Sequence, residues 1–228
     1  MKVLLLSDLA GKIPDIPANV VNQVDFALIA GDVTLGARSL KTLEKFFIKL
    51  ANFLPAPLPV YFIPGNHDHA FIMEKYPWTP ENFIELHGKT HVISGDPDIL
   101  LIGFGGASIG LYNNFAFTED EIYASLKNLF QGSSGIRGKP TTRTILFVHD
   151  VPRNSKLDLN YRKEHVGSVS IRKIIEEFKP SLMVGGHIHE SMAVDRIGPT
   201  LAVNAGEGKY GHYALITIEK NEISCKLL

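Results

Sequence analysis

Cysteine is nearly absent. Cys225 is the only one in 228 residues, so no internal disulfide can form, and a reducing cytoplasm is the expected compartment. No sign of charge dominates either: 23 Lys and Arg face 24 Asp and Glu, a formal net charge of -1. With no basic block, the composition argues against long nucleic acid as a partner. No apolar run is long enough to span a membrane, and the four apolar residues after Lys2 are too few for a signal peptide. Repeats, heptads and low-complexity tracts are missing. What remains is a chain 45% hydrophobic and 21% charged, the profile of one soluble globular domain over residues 1–228.

What is present is a design repeated five times. An apolar run is followed by a small residue or two, then by a metal-loving side chain. The segments are Val3-Leu4-Leu5-Leu6-Ser7-Asp8, Phe26-Ala27-Leu28-Ile29-Ala30-Gly31-Asp32, Val60-Tyr61-Phe62-Ile63-Pro64-Gly65-Asn66-His67-Asp68, Ile145-Leu146-Phe147-Val148-His149 and Leu182-Met183-Val184-Gly185-Gly186-His187-Ile188-His189. Each run has strand length, so each polar residue sits just past a buried strand.

Between these segments the patterns alternate. A strand near 2–7 and another near 25–30 precede an amphipathic helix over about 38–53, with Leu40, Leu43, Phe46, Phe47 and Leu50 on one face. Pro55, Pro57 and Pro59 end that helix and introduce the third strand. Strands are expected near 91–93 and 99–103, and Thr118-Glu119-Asp120-Glu121 reads as a capping box opening a helix to about Phe130. The Gly- and Ser-rich stretch from Gln131 to Arg143 reads as a mobile connection. A strand at 144–148, a helix from near Ser168 to before Pro180, and strands at 182–185 and near 190–195, 200–203, 212–219 and 222–227 complete the chain. Cys225 falls in the last of these as a small core residue. Alternating units followed by consecutive strands fit a mixed sheet, or a pair of packed sheets, flanked by helices.

Open α/β sheets bind ligands at the carboxyl ends of their strands. If the five strands lie side by side, Asp8, Asp32, Asn66, His149, His187 and His189 converge at one edge. The set mixes hard oxygen with imidazole nitrogen, which suits one or two ions of Mn, Fe, Zn, Co or Ni better than Ca. One carboxylate can bridge two metals, and an extended His187-x-His189 would place both rings on one face. Any one motif taken alone is a turn, a polar loop or a core histidine. Their joint occurrence, each after an apolar run, is what points to a two-metal hydrolase.

These residues resemble the calcineurin-like metallophosphoesterase superfamily, whose pattern is D-x-H, G-D, G-N-H-D/E, H and G-H-x-H. Here it reads Asp8-Leu9-Ala10, Gly31-Asp32, Gly65-Asn66-His67-Asp68, His149 and Gly186-His187-Ile188-His189, within a resemblance running from residue 1 to about 215. Lys156-Leu157-Asp158, His165-Val166-Gly167-Ser168, Glu119-Asp120-Glu121-Ile122-Tyr123 and Asn204-Ala205-Gly206 are similar to its Icc-related predicted phosphoesterases. The resemblance implies an α/β fold of two packed mixed β-sheets flanked by α-helices, a four-layer sandwich. It implies a phosphoesterase that hydrolyses a small phosphate monoester or diester by a metal-bound hydroxide. Asp8, Asp32 and His189 would hold one metal, and Asp32, Asn66, His149 and His187 the other. His67 would contact the phosphoryl oxygen or protonate the leaving oxygen, oriented and kept protonated by Asp68.

One position departs from the pattern: the first motif ends in Ala10, not His. The loss weakens the first metal position, and the alternative is a metal- or phosphate-binding member with feeble catalysis. His69 is a conceivable substitute ligand; His87, His91 and His212 are expected at the surface, and His165 either lines the pocket or supports the start of its helix. The loops Tyr112-Asn113-Asn114 and Lys156 to His165 are expected to select the substrate. A homo-oligomer paired through the closing strands is compatible with the sequence.

Overall fold

The computed structural model describes residues 1–34, 39–95, 98–109, 114–137 and 142–228. Its strands are β1 (Lys2–Leu6), β2 (Phe26–Ala30), β3 (Val60–Ile63), β4 (Phe83–Glu85), β5 (Lys89–Ile93), β6 (Asp98–Phe104), β7 (Ala107–Ser108), β8 (Ala116–Phe117), β9 (Thr142–Val148), β10 (Leu182–Gly185), β11 (Ala193–Ile197), β12 (Thr200–Asn204), β13 (Ala214–Ile218) and β14 (Ile223–Leu227). Its α-helices are α1 (Ala18–Val21), α2 (Leu40–Phe53), α3 (Glu119–Gly132), α4 (Ser134–Arg137) and α5 (Val169–Phe178).

Among the described residues the strands form two six-stranded sheets and one small pair. The first sheet runs β14-β13-β1-β2-β3-β4, and the second β11-β12-β10-β9-β6-β5. Neighbours among β1 to β4, and along β12-β10-β9-β6, are parallel, while the outer pairings with β13, β14, β11 and β5 are antiparallel. Both sheets are therefore mixed, with parallel centres.

Alternation along the strands makes four layers. Val3, Leu5 and Leu28 of the first sheet meet Ile145, Phe147 and Val184 of the second in a shared core. Leu4, Leu6 and Ile29 point the other way, onto Leu43, Phe46, Phe47 and Leu50 of α2. Leu146, Val148 and Met183 face Ile122, Leu126 and Phe130 of α3 and Ile171, Ile174 and Ile175 of α5. Strands covered on both faces read as continuous apolar runs, which is why the five segments look alike in sequence.

The helices start and stop on chemical signals. Ser39 accepts the Thr42 amide, and α2 ends at Phe53, two residues before Pro55. Leu40, placed by its spacing on the apolar face, is exposed instead, at the first position of the helix. Thr118 and Glu121 form the capping box of α3. Ser168 accepts the Ile171 amide at the start of α5, and left-handed Lys179 closes it before Pro180.

The expected connection from Gln131 to Arg143 holds α4, and residues 138–141 lie outside the described residues. Arg137 of α4 donates to the Phe130 and Phe178 carbonyls and lies over both rings, so this part is anchored. The strand expected from 190 starts only at Ala193, because His189–Ser191 take a 3-10 turn. Strand β4 was not expected; three residues are too few to show a period.

Two histidines expected at the surface are packed. The His91 ring lies 5.0 Å from Tyr61. His87 sits among Phe104, Phe115 and Phe117 and accepts the Gly105 amide at 3.0 Å. Burial, then the charge of Lys89, pull its pKa down to about 4. An unfolded chain takes up this proton near 6.5, whereas the folded chain resists it until about 4. Stability is thus complete above about pH 6.5 and declines on acidification toward about pH 4. Urea midpoints at pH 7.5 and 4.5 are expected to differ more for the wild type than for His87→Gln; equal differences contradict this assignment.

Candidate metal centre

The site lies where the carboxyl ends of β1, β2 and β3 meet those of β9 and β10. The loops that leave β1 and β2 run side by side: the Asp8 amide donates to Gly31 O at 3.0 Å and the Ala10 amide to Asp32 O at 2.9 Å. From the second sheet, the Gly186 amide donates to His149 O at 2.9 Å. Asp8, Asp32 and His187 all hold left-handed backbone, with φ of 52°, 49° and 64°. Such conformations cost roughly 1–3 kcal/mol each in non-glycine residues and concentrate at functional sites.

Those turns bring the side chains together. One oxygen of Asp8, one of Asp32 and a ring nitrogen of His149 lie within 4.8 Å of one another. All three residues are buried. His149 Nδ1 is 2.6 Å from Ala30 O, so it donates there. Its Nε2 is 2.9 Å from Asn66 Oδ1 and 3.7 Å from Asp32 Oδ1. A neutral ring that donates through Nδ1 has only a lone pair at Nε2, and that lone pair would face two acceptor oxygens. With the Asn66 oxygen toward Nε2, a cation there, either a proton or a metal, satisfies both oxygens.

The electrostatics point the same way. Burial and the neighbouring Asp8 raise the Asp32 carboxyl above its ordinary value. Burial also acts to raise Asp8, but the hydrogen bond from His189 and the charges of His149 and His189 bring it down to about 2. Asp32 and Asp8 raise His149 against the effect of its burial. Two buried carboxylates and two imidazoles thus share protons that a divalent ion would replace.

His187 and His189 do not share a face, because left-handed His187 and the turn starting at His189 break the extended geometry. The His187 ring sits 5.1 Å from that of His149, and burial lowers its pKa to about 4, the neutral form that a metal needs. His189 Nε2 turns to Asp8 Oδ1 at 3.0 Å. The His187 ring therefore lies beside His149, and the His189 ring beside Asp8.

His67 is half-buried beside the cluster, and its amide donates to Asp32 Oδ1 at 2.9 Å. Burial and the charges of His149 and His189 lower its pKa, against the pull of Asp8 and Asp68. Asp68 was expected to orient the His67 ring and keep it protonated. Its hydrogen bonds go elsewhere: the amides of Val33, Thr34 and Gly65 donate to its two oxygens at 3.0, 3.0 and 2.9 Å. Asp68 thereby ties the loop after β3 to the loop after β2.

These strand-end ligand positions, in this order on two facing sheets, coincide with a known family pattern. The profile described as calcineurin-like phosphoesterase matches residues 1–191. The chain belongs to the calcineurin-like phosphoesterase family. Metallophosphoesterases of this family use divalent metals, and the Asp8, Asp32 and His149 cluster offers a place for one. Uncharacterized protein MJ1162 of Methanocaldococcus jannaschii is 31% identical over 218 residues, covering 93% of this chain and 91% of that protein. Among solved structures, TT1561 of Thermus thermophilus superposes with a TM-score of 0.70 at 16% identity, over 99% of this chain and 97% of that one. A dimetal phosphatase from Danio rerio gives 0.66 at 12% identity, over 100% of this chain and 95% of that one. At such identities the likeness establishes the fold, two mixed sheets flanked by helices.

Other histidines are kept out of the cluster. His69 is exposed, caps the turn at Ala70–Met73 and stacks on Phe71, so it does not replace the imidazole absent at Ala10. His165 Nδ1 lies 2.7 Å from the fully buried Asp158, which gives it a structural tie within the 151–168 loop. Tyr112 and Asn113 lie outside the described residues. Their neighbour Asn114 donates to His67 O at 3.1 Å, and its amide to Asn66 O at 2.8 Å.

Three contributors escaped the sequence reading. Ser7 donates to Asp8 Oδ2 at 2.6 Å, the Ala30 carbonyl fixes His149, and Glu207 contacts His189. For Glu207 a signal existed: Thr200 to Asn204, then Ala205-Gly206, then Glu207 repeats the five-fold design a sixth time.

Glycine at 186 is required by close approach, since a Cβ there would collide with Ser7 Oγ and Asp8 Oδ2. Gly186→Ala is expected to lower the melting temperature and weaken Mn(II) binding together. Calorimetry that finds both unchanged would refute the tight seating of Asp8.

Proposed function

We propose that this chain is a metal-dependent phosphoesterase acting on a small phosphate monoester or diester. The observation that carries the reading is the buried Asp8, Asp32 and His149 cluster, with Asn66, His187 and His189 around it. Asp32, Asn66, His149 and His187 would hold one ion and Asp8, Asp32 and His189 a second, with Asp32 shared. Mixed nitrogen and oxygen donors favour Mn, Fe, Zn, Co or Ni. Bound ions of this kind lower the pKa of water and polarise a phosphoryl oxygen.

The protein supplies placement. Ser7 and the His187 amide, at 2.6 and 3.0 Å, fix one oxygen of Asp8 and leave the other for His189 and a ligand. The Ala30 carbonyl sets the His149 tautomer so that Nε2 faces the cluster. His67, its backbone held by Asp32 and Asn114, would turn its ring to the substrate. Its role is to donate a hydrogen bond to a phosphoryl oxygen or a proton to the leaving oxygen. Asp68 acts through the loop that carries His67. The Asn114 segment, tied to Asn66 and His67, and the loop from Lys156 to His165 would shape the substrate pocket. A cytoplasmic setting and a small phosphorylated substrate fit one unpaired cysteine and a balanced charge.

Ala10 supports a second reading, a metal- or phosphate-binding protein with weak catalysis. One experiment separates the two. Hydrolysis of a chromogenic phosphodiester and a chromogenic monoester is followed against added Mn(II) for wild type, Asp32→Ala and Ala10→His. The phosphoesterase reading expects Mn-dependent turnover that falls at least about 100-fold in Asp32→Ala, at or beyond the roughly 10–100-fold cost of losing a partner of a metal ligand. A folded wild type without turnover, rescued only by Ala10→His, would favour the second reading.

A further inference from the structure

The strand-end design contains a residue that the two-metal assignment leaves unused. Strand β12 runs parallel to β10, so its carboxyl end reaches the same edge as the site. Past it, Ala205-Gly206 leads to Glu207, which is buried. Glu207 Oε1 lies 3.1 Å from His189 Nδ1, and Oε2 forms an ion pair with Lys209 Nζ at 2.5 Å. The segment is laced to the loop after β1: the Gly208 amide donates to Ser7 O at 2.8 Å and the Lys209 amide to Asp8 O at 3.2 Å. A Cβ at Gly208 would meet Ser7 O and Leu9 Cδ2 at 2.7 Å, so the approach needs glycine.

Both ring nitrogens of His189 face carboxylates, Asp8 on one side and Glu207 on the other. A neutral His189 that donates Nδ1–H to Glu207 must present a lone pair at Nε2, and that atom faces Asp8 Oδ1 at 3.0 Å. A carboxylate behind a ligand imidazole orients the ring and raises its basicity. Ala10, in the same loop as Asp8, brings no imidazole of its own to this end of the cluster.

We infer that Glu207, held by Lys209, is a positioning residue for the metal at the Asp8 and His189 end and compensates there for Ala10. The inference rests on the two-ion reading above; the wild-type stoichiometry tests that reading and the Glu207 variants test the inference, so the two failures are distinguishable. Mn(II) binding to the full chain is followed by electron paramagnetic resonance of the free ion and by calorimetry. The proteins are wild type, Glu207→Ala, Glu207→Asp, Glu207→Gln and the double variant Glu207→Ala with Ala10→His.

Wild type is expected to bind two ions of unequal affinity. Glu207→Ala, and Glu207→Asp through its shorter reach, are expected to weaken only the weaker ion, by roughly 10–100-fold. Glu207→Gln, whose amide oxygen still accepts Nδ1–H, should retain most of that affinity, and adding His at position 10 should restore it. Metal-free melting curves report folding, and Glu207→Asp carries the test if Glu207→Ala does not fold. One ion per wild-type chain, equal weakening of both ions in a folded variant, or unchanged affinities would overturn the inference.

Discussion

The hydrogen bond from His149 Nδ1 to the Ala30 carbonyl joins the two sheets at the point where the site forms. His149 follows β9 of the second sheet, and Ala30 ends β2 of the first. A reciprocal link runs from the His187 amide of the second sheet to Asp8 of the first. Both are buried or nearly so, where an unmade hydrogen bond costs more than a made one contributes. Shifting one sheet against the other along its strands would break both, so the register between sheets and the geometry of the cluster are the same constraint.

Around that seam the molecule concentrates features that folding alone would not favour. Three prospective ligands sit in left-handed backbone. Burial and the neighbouring Asp8 raise the Asp32 carboxyl, and His149 faces acceptors on both ring nitrogens. The cost is carried by thick apolar layers on either side, where Leu4, Leu5 and Leu6, for example, have no exposure at all. A divalent ion would relieve the repulsion and convert a destabilising cluster into a stabilising one.

Much of this was legible in the sequence, for identifiable reasons. Strands buried on both faces produce uninterrupted apolar runs, and the polar residue after each run marks the sheet edge. Thr118 and Glu121 announced α3 because capping is local chemistry. What escaped depends on distance across the chain. The path of Asp68 to Val33 and Thr34 joins residues 35 and 34 positions apart, and that of Glu207 to His189 crosses between strand ends. The divergence of His187 and His189 turns on the left-handed φ of His187 and the 3-10 turn at His189, which no periodicity predicts. His87 looked like a surface residue because its aromatic cage is assembled from separate segments.

The most direct test of a metal centre at the seam is anomalous diffraction from crystals grown with Mn(II). Density is expected between Asp32, Asn66, His149 and His187, at the strand ends where the two sheets meet. Well-ordered crystals with these side chains in place but no anomalous peak among them, or with manganese bound elsewhere on the chain, would contradict it.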